Sequence, residues 1–251
     1  MTSSRLDGST ALVTGATSGI GRAVAFALAR RGAHVLVGGR DAARADAVVA
    51  AVRSAGGRAD LLLGDLADAH GVRSLARRAI DAGGGHVDIL INNAAVYPAR
   101  GLTPDTTHDD FLSCYAVNVE APLLLVAELG PAMAARGHGS VVNVLSMTAR
   151  FGMAGFALYG SSKAALLSLT QAWTAEFGPR GVRVNAVSAG PTRTEGTQVF
   201  GDGLDRLAAP APAGRPAAPE EIAAAVTFLA GNHASFVNGA VLDVDGGRHA
   251  T

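Results

Sequence analysis

Tyr159 and Lys163 stand four residues apart in a stretch rich in Ala, Leu and Ser. On a helix that spacing puts both side chains on one face, within reach of each other or of a common ligand. A free phenol titrates at about 10, too high to exchange protons readily at neutral pH, and a neighbouring ammonium lowers that value by favouring the phenolate. Ser146 closes an apolar run upstream, at a strand end where its hydroxyl can face the same space. Lys163 is the sole lysine among 21 basic residues. A compact ammonium with three rotatable donors serves several acceptors at once, a task that a planar guanidinium fork fits poorly. Departing from arginine once, at this position, marks Lys163 for chemistry.

A second constellation lies near the N-terminus, where Thr14-Gly15-Ala16-Thr17-Ser18-Gly19-Ile20-Gly21 joins an apolar run to an amphipathic one. Glycines at 15, 19 and 21 let the backbone turn sharply and approach a pyrophosphate, whose charge the following helix N-terminus would meet. The spacing G-x-x-x-G-x-G differs from the usual dinucleotide G-x-G-x-x-G.

The elements that must hold these groups follow from periodicity. Short apolar runs at 10–14, 34–38, 58–64, 87–91, 140–146, 183–188 and 240–245 read as strands, several of them apolar throughout, as strands covered on both faces are. Amphipathic stretches at 20–31, 42–55, 72–82, 109–136, 159–177 and 220–230 read as helices. Gly32 and the glycines at 83–85 stop helices, and Pro219 with Glu220 and Glu221 starts one. This alternation predicts an α/β fold: a single Rossmann-type, doubly wound parallel sheet of about seven strands with helices on both faces, spanning 1–251.

The chain has 251 residues, 21 basic and 21 acidic, with 49% hydrophobic residues and a mean hydropathy of +0.26. Zero net charge without a basic block argues against nucleic-acid binding and against a polybasic membrane anchor. The single cysteine, Cys114, excludes an internal disulfide, and the longest apolar run, from Ala121 to Ala127, falls short of the roughly 18 residues of a membrane span. A soluble, cytoplasmic protein is the expectation, with neither nucleic acid nor membrane as partner.

In order along the chain come the turn 14–21, Asp65 after the third strand, Asn92-Asn93-Ala94-Ala95 after the fourth, Asn118 within a helix, Ser146, Tyr159-Gly-Ser-Ser-Lys163, and Asn185 to Gly190 leaving the sixth strand. From Leu6 to Gly247 this series resembles the short-chain dehydrogenase/reductase family in its roughly 250-residue subunit form, akin to 3-oxoacyl-carrier-protein reductases. The resemblance implies a Ser146–Tyr159–Lys163–Asn118 centre. In it Tyr159 is the general acid for carbonyl reduction and the base for alcohol oxidation. Ser146 binds the substrate oxygen together with Tyr159, Lys163 binds the nicotinamide ribose and tunes Tyr159, and Asn118 holds a water of the proton relay. It also implies a cofactor site of Gly15, Thr17, Ser18, Gly19, Ile20, Gly21, Arg40, Asp65, Leu66, Asn92, Ala94, Tyr159, Lys163, Gly190, Thr192 and Thr194. Asp65 would accept from the adenine amino group. Where NAD-preferring relatives carry an acid, this chain has Gly39, followed by Arg40, which could clamp a 2′-phosphate. NADP(H) is therefore the expected cofactor, with NAD(H) as the alternative. Arg40 could instead pair with Asp41 or Asp65, or stack on adenine. Three departures stand out: Ala95, Ala189 and Asn238 replace the family's usual Gly, Pro and Thr.

The expected activity is interconversion of a ketone or aldehyde and an alcohol. Its rivals are an NAD-dependent alcohol or sugar dehydrogenase, a relative acting on a sugar or a C=C bond, and a non-catalytic dinucleotide sensor. The segment 193–216 should fold over the substrate, with Tyr97, Met147, Arg150, Phe151 and Phe200 as its walls. The seven histidines lack metal-ligand spacing, Cys114 and Trp173 read as packing residues, and the stripe Gly160, Ala164, Ser168, Ala172 suits close helix approach in a homotetramer or dimer.

Overall fold

The computed structural model describes residues 5–97 and 101–251. Seven strands form one sheet: β1 (Thr10–Val13), β2 (His34–Gly39), β3 (Arg58–Leu63), β4 (Ile89–Asn92), β5 (Gly139–Ser146), β6 (Val182–Ala189) and β7 (Val241–Val244). Their order is β3-β2-β1-β4-β5-β6-β7, and every pairing is parallel. The helices are α1 (Gly19–Arg30), α2 (Ala42–Ser54), α3 (Ala69–Ala82), α4 (His108–Tyr115), α5 (Ala121–Arg136), α6 (Ala157–Phe177), α7 (Gly203–Ala208) and α8 (Pro219–Ala230).

Successive strand residues face opposite ways, so each apolar strand feeds two cores. Ala11, Val13, Val35 and Val37 pack with Val24 and Leu28 of α1, Val48 and Val52 of α2 and Ile222 and Val226 of α8. Leu12, Leu36 and Leu90 pack on the other face with Leu75 of α3, Leu125, Leu129 and Met133 of α5, and Leu166 and Trp173 of α6. Trp173 is thus a core side chain, and Cys114 is completely buried.

The sequence boundaries hold to within a few residues, and the deviations have local causes. Helix α3 starts at Ala69 rather than 72 because the Asp68 side chain accepts from the His70 and Gly71 N–H groups. The stretch 109–136, read as one helix, is two helices joined by a π turn over Ala116–Glu120. Their combined span, His108–Arg136, has the length and apolarity to cross a bilayer, contrary to the run-length expectation. It lies instead along α3 and the sheet. The segment 193–216 carries a 3-10 turn at Glu195–Phe200 and then α7.

Strand order reverses at β1, between β2 and β4, and the glycine turn leaves β1 at that switch point. Ser146 ends β5 and Ala189 ends β6, so all the predicted chemistry gathers at the carboxyl edge of the sheet.

Candidate active site

A cleft of about 480 Å³ runs along that edge. At one end the glycine turn is bolted to β4. The Thr14 hydroxyl donates to the Ile91 carbonyl and accepts from the Asn93 and Ala94 N–H groups, while the Asn93 amide donates to the Thr14 and Gly15 carbonyls. Gly15 has φ +63°, and a Cβ there would lie 2.9 Å from the Ala94 Cα, so only glycine fits. Helix α1 then starts without a side-chain cap and without an acid in its first turn. Its leading N–H groups form an anion seat. A carboxylate of the chain itself has settled there: Glu195 accepts from the Gly19 N–H at 2.9 Å and pairs with Arg22 at 2.7 Å. The seat therefore suits a dinucleotide pyrophosphate in both charge and shape.

Thr17, Ser18, Ile20, Gly21, Ala94, Gly190, Thr192 and Thr194 also line the cleft. A Cβ at Gly190 would come within 2.7 Å of the Asp245 Cα. The Thr192 hydroxyl donates to the Gly190 carbonyl, and Thr194 caps the 3-10 turn through the Thr197 N–H. Arg40 lines the cleft at the end of β2 and makes no ion pair with a described residue, whereas Arg44 holds Asp41. Asp65 and Leu66 border the same end, with Asp65 accepting from the Ala67 N–H. Both acids that might have neutralised Arg40 are thus engaged elsewhere.

Ser146, Tyr159 and Lys163 meet at the opposite end. The Ser146 hydroxyl accepts from both the N–H and the hydroxyl of Thr148, at 3.2 and 2.9 Å. With its acceptor positions filled, its own proton is left to donate. Lys163 is 2% exposed, donates to the Val144 carbonyl at 2.9 Å, and sits 5.7 Å from the centre of the Tyr159 ring. Burial pushes the Lys163 ammonium down to about 8. The same burial, reinforced by Tyr97, pushes the Tyr159 phenol above its usual range. This corrects the sequence-based expectation of a lowered phenol. Desolvation penalises the charged form of each group.

Three further expectations change. Asn92 does not face the cleft: its amide donates to Asn143 at 2.8 Å inside the sheet, and Asn143 continues to Thr170 on α6. Its neighbour Asn93 does the work at the glycine turn. The carboxamide of Asn118, in the π turn, is spent on the Val96 N–H and carbonyl and on the Ser162 hydroxyl, at 2.8, 3.0 and 3.0 Å. The side chain thus fixes the β4 loop rather than facing the cleft. Of the expected walls, Tyr97, Met147 and Phe200 line the cleft, whereas Arg150 pairs with Asp243 and Phe151 packs with Arg248 and His249. Glu195 had no signal in the sequence, because its partners Gly19 and Arg22 lie far along the chain, whereas Thr148 and Arg44 bond to near neighbours, Ser146 and Asp41.

A family model described as enoyl-(acyl carrier protein) reductase matches residues 15–249. The cis-4-hydroxycyclohexanecarboxylate dehydrogenase of Sinomonas cyclohexanicum is 41% identical, over 96% of this chain and 96% of that protein. The chain belongs to the short-chain dehydrogenase/reductase family. As a member of it, the protein is an oxidoreductase. The D-threitol dehydrogenase of Mycolicibacterium smegmatis is 39% identical, over 97% of this chain and 94% of that one. In structure, a short-chain dehydrogenase from Burkholderia cenocepacia J2315 in complex with NADP superposes with a TM-score of 0.90 at 38% identity, covering 97% and 99% of the two chains.

Proposed function

We propose that this family member is an NADP(H)-dependent oxidoreductase that interconverts a ketone or aldehyde and the corresponding alcohol. The observation that carries the reading is one cleft lined both by an anion seat with an arginine that makes no ion pair among the described residues, Arg40, and by Ser146, Tyr159 and Lys163. When bound, the reduced dinucleotide supplies a hydride to the carbonyl carbon. Ser146 donates its free hydroxyl proton in a hydrogen bond to the substrate oxygen, holding it as charge develops. Tyr159 gives that oxygen a proton, and its protonated resting state suits the reduction direction. Lys163 supplies cationic charge beneath the phenol and donors to ribose hydroxyls. The Asn118 carboxamide acts as a positioning group through Val96 and Ser162, so a relay water held by this residue would take its main-chain atoms. Arg40 beside Gly39 supports NADP(H) over NAD(H), and the related structure in complex with NADP is consistent with that preference.

The 251 residues act as one dinucleotide-binding domain with 193–216 as the substrate loop, in a cytoplasmic homotetramer. Exposed Phe111, Leu112 and Leu123 on α4 and α5, and the small-residue stripe of α6, support subunit contacts there. The named relatives are a D-threitol dehydrogenase and a cis-4-hydroxycyclohexanecarboxylate dehydrogenase, and a small-molecule alcohol or carbonyl is the expected partner. Tyr159→Phe should lower kcat for carbonyl reduction by about 10²–10⁴-fold while NADPH binding, followed by fluorescence, persists. Full turnover in that variant would sink the mechanism.

A further inference from the structure

Ser146 enters the cleft with two hydrogen bonds already accepted. It ends β5 and is the N-cap of a 3-10 turn, Met147–Ala149, whose middle residue is Thr148. The Thr148 N–H gives the Ser146 oxygen one bond at 3.2 Å, and the Thr148 hydroxyl gives it another at 2.9 Å. These two bonds differ in kind. Any residue except proline at 148 would supply the N–H, and such a cap is ordinary turn chemistry. The hydroxyl depends on a threonine or serine at that place, and a valine would fill the same volume with carbon. Thr148 is buried and lines the cleft together with Ser146, Tyr159 and Lys163.

The turn is also held against the helix that carries Tyr159. Gly160, the next residue on α6, packs so closely that a Cβ on it would lie 2.8 Å from the Thr148 carbonyl oxygen. Thr148 therefore keeps a fixed place relative to both hydroxyls that meet the substrate oxygen. A hydroxyl that accepts a hydrogen bond becomes a stronger donor, because the accepted bond polarises its own O–H. Thr148 donating to Ser146, and Ser146 to the carbonyl oxygen, form a chain of donors running one way. As hydride arrives and negative charge grows on that oxygen, both bonds strengthen together. The gain is therefore largest in the transition state, where it accelerates the reaction.

We propose that Thr148 is a positioning residue of the reaction, whose hydroxyl aligns and polarises Ser146 as a donor to the reacting oxygen. This rests on the hydride-transfer reading above. The test follows reduction of ethyl acetoacetate, cyclohexanone and erythrulose at saturating NADPH, and compares variants on the one reduced fastest. Thr148→Val keeps the shape and removes the hydroxyl. It should lower kcat and kcat/KM together by about five- to twenty-fold, leaving KM and the NADPH dissociation constant within about two-fold of wild type. Thr148→Ser keeps the hydroxyl, removes the methyl, and should recover most of kcat. Ser146→Ala should cost about 10²–10³-fold, as the loss of a direct oxyanion donor does. Adding Thr148→Val to it should cost less than about two-fold more, because Thr148 acts through Ser146. Full kcat and kcat/KM in Thr148→Val, with turnover abolished in Tyr159→Phe, would overturn the role of Thr148 and leave hydride transfer standing. An equal loss in Thr148→Ser would overturn it as well, by tracing the effect to packing. So would an undiminished cost of Thr148→Val in the Ser146→Ala background, which would place Thr148 directly on the substrate. A wild type that binds NADPH and reduces no carbonyl compound would overturn both readings.

Discussion

Lys163 is a cation sealed in the protein with one carbonyl for a partner, and its titration makes it legible from outside. Its pKa falls from 10.5 when free to about 8 in the fold. Below about 8 both the folded and the unfolded chain carry the proton, and the fold bears the full cost of the buried charge. Between about 8 and 10.5 the folded state releases the proton while the unfolded chain keeps it, so stability rises with pH. Without cofactor, the stability of wild type relative to Lys163→Met should therefore increase from pH 7.5 to pH 10, by on the order of 1–3 kcal/mol. Urea unfolding across that range measures it, and a flat difference would refute the buried cation. Tyr159 acts in the opposite sense from its ordinary value of about 10 upward, where the unfolded chain loses the phenol proton and the fold keeps it, so it enters only at the upper edge of this window and is shared by wild type and variant. Lys163→Arg keeps the charge, but a forked guanidinium cannot occupy a seat shaped for an ammonium. A loss of about 100-fold in kcat is expected, and steady-state kinetics will report it.

Among the elements, the substrate loop is tied to α1 across the mouth of the cleft. Glu195 bonds the Gly19 N–H and Arg22, and Thr194 presses against Gly19, where a Cβ would lie 2.9 Å from the threonine methyl. Its own backbone N–H first, and then the contacts to Gly19 and Arg22, hold the Glu195 carboxyl below the usual range against the cost of burial, so the tie persists into mild acid. Both partners are about half exposed, and such pairs contribute at most about 1 kcal/mol. Because this carboxylate holds the N–H that a pyrophosphate would take, Glu195→Ala should tighten NADPH binding about two- to five-fold by fluorescence titration and, without cofactor, hasten proteolysis between 195 and 216. Weakened binding in that variant would show that the carboxylate does not compete for the anion seat. The π turn at 116–120 belongs to this scale too: it joins two helices in one line and brings Asn118 against Val96.

The cleft draws on both halves of the sheet at once, with the anion seat from β1 and α1 and the reaction centre from β5, α6 and β6. A ligand bridging them stabilises the whole molecule by mass action, by about 2.7 kcal/mol at one hundred times its dissociation constant. For a chain of this length that corresponds to a rise of roughly 5–10 °C in Tm. NADPH should give such a rise by scanning fluorimetry, and NADH a smaller one at equal concentration. Arg40→Leu should erase the difference between them. A persistent NADPH advantage in that variant would move the 2′-phosphate clamp away from Arg40.

The sequence by itself determined the alternating α/β order, the glycine turn at the first strand, and the shared helix face of Tyr159 and Lys163. These depend on periods of two and 3.6 residues and on what glycine alone allows, and both are local properties. Tertiary structure decided which asparagine serves the cleft. Asn92 lies in register beside Asn143 and is turned into the sheet, so the task passes to Asn93. It also turned Arg150 and Phe151 away toward Asp243 and Arg248, and brought Glu195 to Gly19. It made burial the main influence on the titration of Tyr159. Contacts of this kind join segments distant along the chain, and desolvation depends on everything packed around a group. Neither leaves a pattern in neighbouring residues, so both appear only once the chain is folded.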